Sequence, residues 1–218
     1  MKLLLTSGGL SNQPIIDGLF ELIGTSIRDV KIAFIPTAAN VETGDKGWLV
    51  KDLVQLRGLN PASLDIVDFS AVSRDIWQPR MEEADVLVFG GGNTFHLMYH
   101  LEKSGLKDML PGLLETRVYV GVSAGSMVMG KKLLSQSDAR LYYDDVGKYE
   151  KENGLGFVDF DVKPHLNSPY FPNMRDEHLK KTAEQLKETM YAIDDETAIK
   201  VIDGKVEIIS EGKWIKYN

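Results

Sequence analysis

Gly121-Val122-Ser123-Ala124-Gly125-Ser126 is the stretch that decides the fold, because it joins a strand pattern to a helix pattern. The apolar run Val118-Tyr119-Val120 precedes it, and Met127-Val128-Met129 can start a helix after it. A serine at a sharp turn between strand and helix is typical of a nucleophile elbow, which strains the serine backbone and lifts the side chain above a sheet. Glycine two residues before and after leaves room for that turn. The stretch predicts Ser123 as a nucleophile; the alternative is a tight turn with a solvated serine.

The same strand-then-helix alternation extends along most of the chain. Strands are predicted at 2–6, 31–36, 64–69, 86–89, 118–120 and 157–162, and helices at 14–22, 47–59, 76–84, 94–103, 106–116 and 175–189. This order predicts an α/β fold whose mainly parallel sheet has helices on both faces. Short strands at 198–202, 206–209 and 214–217, with a turn at Asp203-Gly204, predict a C-terminal β-hairpin extension. With no linker, we expect one catalytic domain over 1–218.

The composition narrows the function classes. The 218 residues carry a formal net charge of -7 and include no cysteine. The negative charge argues against nucleic acid or an anionic membrane as the main partner. The lack of cysteine excludes a thiolate zinc site and a cysteine nucleophile. Since no apolar run has the length of a signal peptide or a membrane span, we expect a cytoplasmic protein, either monomer or homodimer.

The chain has only four histidines from which to choose a general base for the serine. His96 and His100 have a spacing that could bind a metal, but no glutamate lies between them as in zinc peptidases, so packing is favoured and no metal is expected. His178 falls on a polar helix face and is expected to be solvated. His165 follows a predicted strand and so reaches the sheet edge where Ser123 also lies. It is the predicted base.

The acidic partner is harder to choose. Candidates between serine and histidine are Asp138, Asp144, Asp145, Asp159 and Asp161. Alternation on a strand predicts that Asp159 and Asp161 are exposed, and the acidic context of Asp144 and Asp145 predicts solvation. Asp138 is therefore slightly favoured over the other four as the acidic partner of the histidine.

A glycine-rich loop, Gly90-Gly91-Gly92-Asn93-Thr94, follows the fourth strand. It lacks the last glycine of a dinucleotide fingerprint and the Gly-Lys-Ser/Thr of a phosphate loop, so no cofactor is expected. Its N–H groups favour an oxyanion role, with the Gly91 N–H facing that of Ala124 at the start of the elbow helix. A helix N-cap at Asn93 or Thr94 is the simpler interpretation, and both can hold together.

These motifs together carry a family resemblance. Phe89-Gly90-Gly91-Gly92-Asn93-Thr94-Phe95, the elbow, Pro164-His165 and Ala192–Ala198 come in an order that resembles the dipeptidase E and cyanophycinase family of serine peptidases. The resemblance implies a flavodoxin-like sheet related to class I glutamine amidotransferases. It also implies Ser123 as nucleophile, His165 as base, Asp138 as the acid, and Gly91 and Ala124 as oxyanion donors.

The family's members cleave after aspartate, so the resemblance implies small peptide substrates, including dipeptides with N-terminal aspartate. An acidic side chain calls for a cation, best an arginine. Arg175 is the predicted clamp by its similarity to a family arginine, with Arg140 and Lys163 as rivals, and Asn93 is predicted to bind substrate with it. The loop beyond Pro164-His165 departs from the dipeptidase pattern, which affects specificity more than hydrolysis.

Two other classes remain as alternatives. An α/β-hydrolase esterase shares the elbow and the order serine, aspartate, histidine, but the chain shows no His-Gly oxyanion motif before the elbow. A non-catalytic binding domain could retain the sheet without activity.

Overall fold

The computed structural model describes residues 1–133, 142, 153–185 and 188–218. Its strands are β1 Lys2–Thr6, β2 Lys31–Ile35, β3 Ser63–Ile66, β4 Val86–Phe89, β5 Val118–Val122, β6 Phe160–Lys163, β7 Thr189–Ile193, β8 Thr197–Ile202, β9 Lys205–Ser210 and β10 Trp214–Tyr217. Its α-helices are α1 Gln13–Ile23, α2 Gly47–Gly58, α3 Arg74–Glu83, α4 Thr94–Ser104, α5 Leu106–Leu113, α6 Ala124–Met127 and α7 Asp176–Gln185.

The central sheet has seven strands in the order β3-β2-β4-β5-β1-β8-β9. The first five are parallel to their neighbours, and at least one helix connects each of these strands to the next along the chain. β8 runs antiparallel to β1, and β9 returns from it through the turn at Asp203 and Gly204. The predicted mainly parallel α/β fold and its C-terminal hairpin are confirmed.

Both faces of the central sheet are covered. Alternate residues of each strand enter two separate apolar clusters, as Leu3 and Leu5 do on one face and Leu4 on the other. Helix α1 covers the second face with Ile15 and Leu19. Helices α3, α4 and α5 cover the first face. The glycine-rich loop and Ser123 follow the carboxyl ends of the parallel strands β4 and β5.

A second sheet was not predicted. Its three strands have the order β10-β7-β6, with β6 parallel to β7. The predicted helix over 175–189 was too long, because Thr189 begins a buried strand rich in aromatic and aliphatic residues, Thr189-Met190-Tyr191-Ala192-Ile193. His165 therefore follows a strand that does not belong to the sheet of Ser123, and the expectation of one shared sheet edge was wrong.

Within the described ranges, none of the helices has both the length and the apolar character that a membrane crossing requires.

Candidate active site

Ser123 occupies the predicted elbow. β5 ends at Val122 and α6 begins at Ala124, so Ser123 alone makes the turn, with φ 49° and ψ −107°. A positive φ is unfavourable for a residue with a side chain and is held here by surrounding hydrogen bonds. The Ser123 N–H donates to the Thr6 carbonyl at 3.0 Å, and the Ser123 carbonyl accepts from the Ser126 N–H at 2.8 Å.

The two elbow glycines are required by close backbone contacts. A Cβ on Gly121 would lie 2.7 Å from the Gly125 carbonyl carbon, and one on Gly125 would lie 2.1 Å from the Phe89 carbonyl oxygen. Neither distance is compatible with a side chain, so the G-x-S-x-G spacing has a steric cause.

His165 lies beside the serine. Its Nε2 is 2.8 Å from the Ser123 Oγ, and its ring stacks on Phe171 with centroids 4.5 Å apart and planes 15° apart. His165 also has a positive φ, 66°, in the loop after β6. The structure thus brings together the two side chains that the sequence predicted as nucleophile and base.

The carboxylate bonded to His165 is Asp195, which lies between β7 and β8. Its Oδ1 is 2.8 Å from the histidine Nδ1. β6 and β7 are parallel neighbours with Lys163 opposite Ala192, so the residues that follow them emerge at the same end. Partial burial alone would raise the pKa of Asp195, but hydrogen bonds from His165 and Ser7 and the nearby charge of Lys51 outweigh it and hold the pKa below its usual value. Asp195 is therefore an anion near neutral pH.

Sequence reasoning had selected other carboxylates. Asp138, Asp144 and Asp145 lie outside the described residues. Asp159 is exposed and pairs with Lys131, whereas Asp161 is buried, contrary to expectation, because β6 is covered on both faces. The signal that could have indicated Asp195 is its place directly after an apolar run of strand-forming residues, within the motif that the resemblance had already included.

The glycine-rich loop packs against the serine. A Cβ on Gly91 would lie 3.4 Å from the Ser123 Cβ, so the Gly91 backbone borders the nucleophile. In the described part of the chain, no backbone carbonyl accepts the N–H of Gly91 or of Ala124. The oxyanion role of the Gly91 and Ala124 N–H groups stays a prediction.

Asn93 caps helix α4. Its side-chain oxygen accepts from the His96 N–H at 2.9 Å, and its own N–H donates to the Ala38 carbonyl. The N-cap interpretation is therefore confirmed, and substrate binding by Asn93 stays a prediction.

Arg175 lies in the histidine loop. Its guanidinium donates to the carbonyls of Ser168, Phe171 and Met174 at 3.0–3.2 Å, which closes the loop that carries Phe171. Its predicted contact with substrate stays a prediction. Of its rivals, Lys163 is buried and Arg140 lies outside the described residues.

The remaining histidines lie away from this chain of hydrogen bonds. His96 and His100 have ring centroids 4.4 Å apart on α4, and over the described residues no group of three or more histidine or acidic side chains could hold a metal. His178 is exposed, as expected.

Serine hydrolases have a serine that is hydrogen-bonded to a histidine, which in turn is hydrogen-bonded to a carboxylate. Ser123, with its strained backbone, His165 and Asp195 have this arrangement. Along the chain the order is Ser123, His165, Asp195, whereas α/β-hydrolases have serine, acid, histidine. That order disfavours the esterase alternative. The model of peptidase family S51 matches residues 3–209. The chain belongs to that family and is a serine-type peptidase.

Individual relatives agree with the family. Peptidase E of Nostoc sp. is 27% identical over 200 residues, covering 87% of this chain and 75% of the relative. An uncharacterized peptidase of Listeria innocua is 27% identical over 194 residues, covering 86% and 88%.

Two solved structures share the fold. A Listeria monocytogenes protein that carries the provisional name peptidase E has a TM-score of 0.80 at 22% identity, covering 97% of this chain and 98% of that one. A peptidase from an acI-B1 Actinobacterium has a TM-score of 0.71 at 21% identity, covering 98% and 88%.

Proposed function

We propose that this serine peptidase hydrolyses small peptides through an acyl-enzyme on Ser123. His165 is the general base, and Asp195 orients it in the role that the sequence had suggested for Asp138. The observation that carries the proposal is the continuous chain of two hydrogen bonds, each 2.8 Å, from the serine hydroxyl through both ring nitrogens to the carboxylate.

Each step uses the same proton carrier. His165 Nε2 takes the Ser123 proton while Oγ attacks the amide carbonyl carbon. The tetrahedral intermediate collapses, the C–N bond breaks, and the imidazolium gives its proton to the leaving amine. Water then attacks the ester carbon with His165 as base, the ester bond to Oγ breaks, and Ser123 recovers its proton. Asp195 stays ionised throughout and stabilises the imidazolium.

The negative charge that develops on the carbonyl oxygen needs donors. The Gly91 and Ala124 N–H groups supply them in our proposal, and one such donor is typically worth about 3 kcal/mol of barrier. Support comes from the position of the Gly91 backbone against Ser123 and from the start of α6 directly after the serine.

For the substrate we propose short peptides with an acidic first residue, such as dipeptides with N-terminal aspartate. The resemblance to dipeptidase E suggests this class, and several relatives carry the name peptidase E. Helix α2 offers a cation in addition to Arg175. Trp48 lies 3.7 Å from where a Cβ of Gly91 would stand, and exposed Lys51 follows one turn later, close enough for its charge to lower the pKa of Asp195. Lys51 is therefore a second candidate to bind the acidic side chain.

A dipeptide panel tests the proposal. Asp-X dipeptides and matched dipeptides with neutral first residues are incubated with wild type, Ser123→Ala and Ser73→Ala, the last an exposed serine whose side chain makes no capping bond. We expect release of free aspartate by wild type and Ser73→Ala and none by Ser123→Ala. Hydrolysis that persists in Ser123→Ala rejects the mechanism, and equal turnover of all dipeptides rejects only the acidic preference.

A further inference from the structure

Ser7 directly follows β1 and forms hydrogen bonds with both Asp195 and His165, although it lies outside the elbow and the histidine loop. β1 lies between β5, which leads to Ser123, and β8, which follows Asp195. Thr6 is paired with Val122 on one side and with Ala198 on the other. The next residue, Ser7, is therefore held between the two arms of the site and is fully buried.

Two short hydrogen bonds define what the Ser7 hydroxyl does. It donates to Asp195 Oδ1 at 2.6 Å, and it accepts from the backbone N–H of His165 at 2.7 Å. An ionised carboxylate and a backbone N–H each have one possible role, so the direction of both bonds is fixed.

The ionised Asp195 sets the histidine tautomer, and the Ser7 hydroxyl is placed so that it does not compete. Ser7 Oγ also lies 3.4 Å from His165 Nδ1, but its single proton is already donated to Asp195. Because the ionised Asp195 can only accept, the proton of the neutral His165 ring lies on Nδ1 and is donated to Oδ1, which leaves Nε2 unprotonated and facing Ser123. The opposite tautomer would place a proton where the base must accept one.

The backbone contact is equally specific. His165 has φ 66°, a conformation that is unfavourable for a residue with a side chain. The bond from its N–H to Ser7 and that from the Leu166 N–H to the Ile193 carbonyl hold this part of the loop in place. The Ser7 hydroxyl thus holds both the Asp195 carboxylate and the backbone of His165 in position.

We infer that Ser7 is a positioning residue that aligns the Asp195 carboxylate with the His165 ring and so helps His165 to activate Ser123. The inference rests on the proposed function. Ser7 touches no reacting atom, so its effect is on the rate of the chemical step and on its pH dependence.

The test measures the rate at which a fluorophosphonate labels Ser123, because this rate reports the activated serine without knowledge of the substrate. Ser7→Ala is expected to label about 10- to 100-fold more slowly at neutral pH, the range typical of a misplaced catalytic group. The acidic limb of its pH–rate profile is expected at higher pH, because an Asp195 that has lost a donor attracts the imidazole proton more strongly. Thr6→Val is the matched control, since it removes a neighbouring buried hydroxyl that bonds the Gly121 carbonyl instead.

The control is expected to unfold more easily but to keep the wild-type pH profile. Folded Ser7→Ala that labels at the wild-type rate and with the wild-type pH profile overturns the inference, and so does an equal change of both in Thr6→Val. A wild type that never labels rejects the proposed function instead. If Ser7→Ala does not fold, the isosteric Ser7→Cys takes its place: its thiol is only a weak donor, so slower labelling with a shifted acidic limb supports the inference and wild-type behaviour overturns it.

Discussion

Ser123 and His165 face each other across two different sheets: the serine ends a strand of the seven-stranded sheet, the histidine follows a strand of the three-stranded sheet, and their side chains are 2.8 Å apart. The site therefore lies where the two sheets meet.

Replacing Asp195 by asparagine removes the anion that orients His165 and stabilises the imidazolium. We expect Asp195→Asn to lower kcat by about 10³- to 10⁴-fold, the size of effect seen when a triad acid is neutralised in this way. Steady-state kinetics on the cleaved dipeptide measures it. Asp138→Asn is the comparison, and a larger loss there would return the acid role to Asp138.

Gly91→Ala places a methyl group 3.4 Å from the Ser123 Cβ and beside an oxyanion donor. We expect a loss of kcat of at least about 10-fold, with little change in unfolding temperature, because the group that moves is the donor. Gly112→Ala in α5 is the matched control, since its Cβ would meet nothing within 4 Å. It is expected to retain activity and to gain up to about 1 kcal/mol of stability.

Lys51 and Arg175, the two candidates to bind the acidic side chain of the substrate, can be distinguished by how their loss changes substrate selectivity. Lys51→Ala is expected to reduce the preference for Asp-X over neutral dipeptides, through a higher KM for Asp-X. Arg175→Ala is expected to slow all dipeptides alike, because its guanidinium holds the carbonyls of Ser168, Phe171 and Met174. The measurement is the ratio of kcat/KM for Asp-X to kcat/KM for a neutral dipeptide, compared between each variant and wild type. A selective loss in Arg175→Ala would instead support the sequence prediction for that residue.

Asp52 gives the stability of the protein a pH dependence. Burial on α2, only slightly offset by Lys51, raises the pKa of Asp52 to about 7, well above its value in an unfolded chain. The folded state then keeps a proton that the unfolded state loses, so stability decreases as the pH rises from about 4 to 7. The full effect is about 4 kcal/mol, which corresponds to roughly 10 °C in Tm.

Thermal unfolding of Asp52→Asn measures this effect. We expect the variant to be more stable than wild type at pH 8 and to approach it near pH 4. The exposed Asp29→Asn serves as control and is expected to follow wild type. A constant difference between Asp52→Asn and wild type across this range would show that Asp52 does not titrate as described.

The elbow and the histidine could be predicted because their signals are local. Ser123 is defined by two glycines within two residues, and the steric contacts of Gly121 and Gly125 show why that pattern is informative. The chain has only four histidines, and His165 was chosen because it is the one that follows a predicted apolar strand. Patterns of this kind depend on neighbours in sequence and can be interpreted without knowing the packing.

The position of Asp195 after an apolar run made it a possible candidate, but its contact with His165, like the role of Ser7, depends on strand pairing. Asp195 reaches His165 because β7 pairs with β6, whereas the sequence had predicted a helix that ran to Thr189, the first residue of β7. Ser7 matters only because β1 lies between β5 and β8. Nothing in the local sequence of either residue records those pairings.

The most direct test of the central claim is covalent labelling by a fluorophosphonate, followed by intact mass and peptide mapping. We expect one adduct on Ser123 of the wild type and a labelling rate at least about 10³-fold lower in His165→Gln. A folded wild type that gains no adduct, or His165→Gln that labels as fast as wild type, would contradict it.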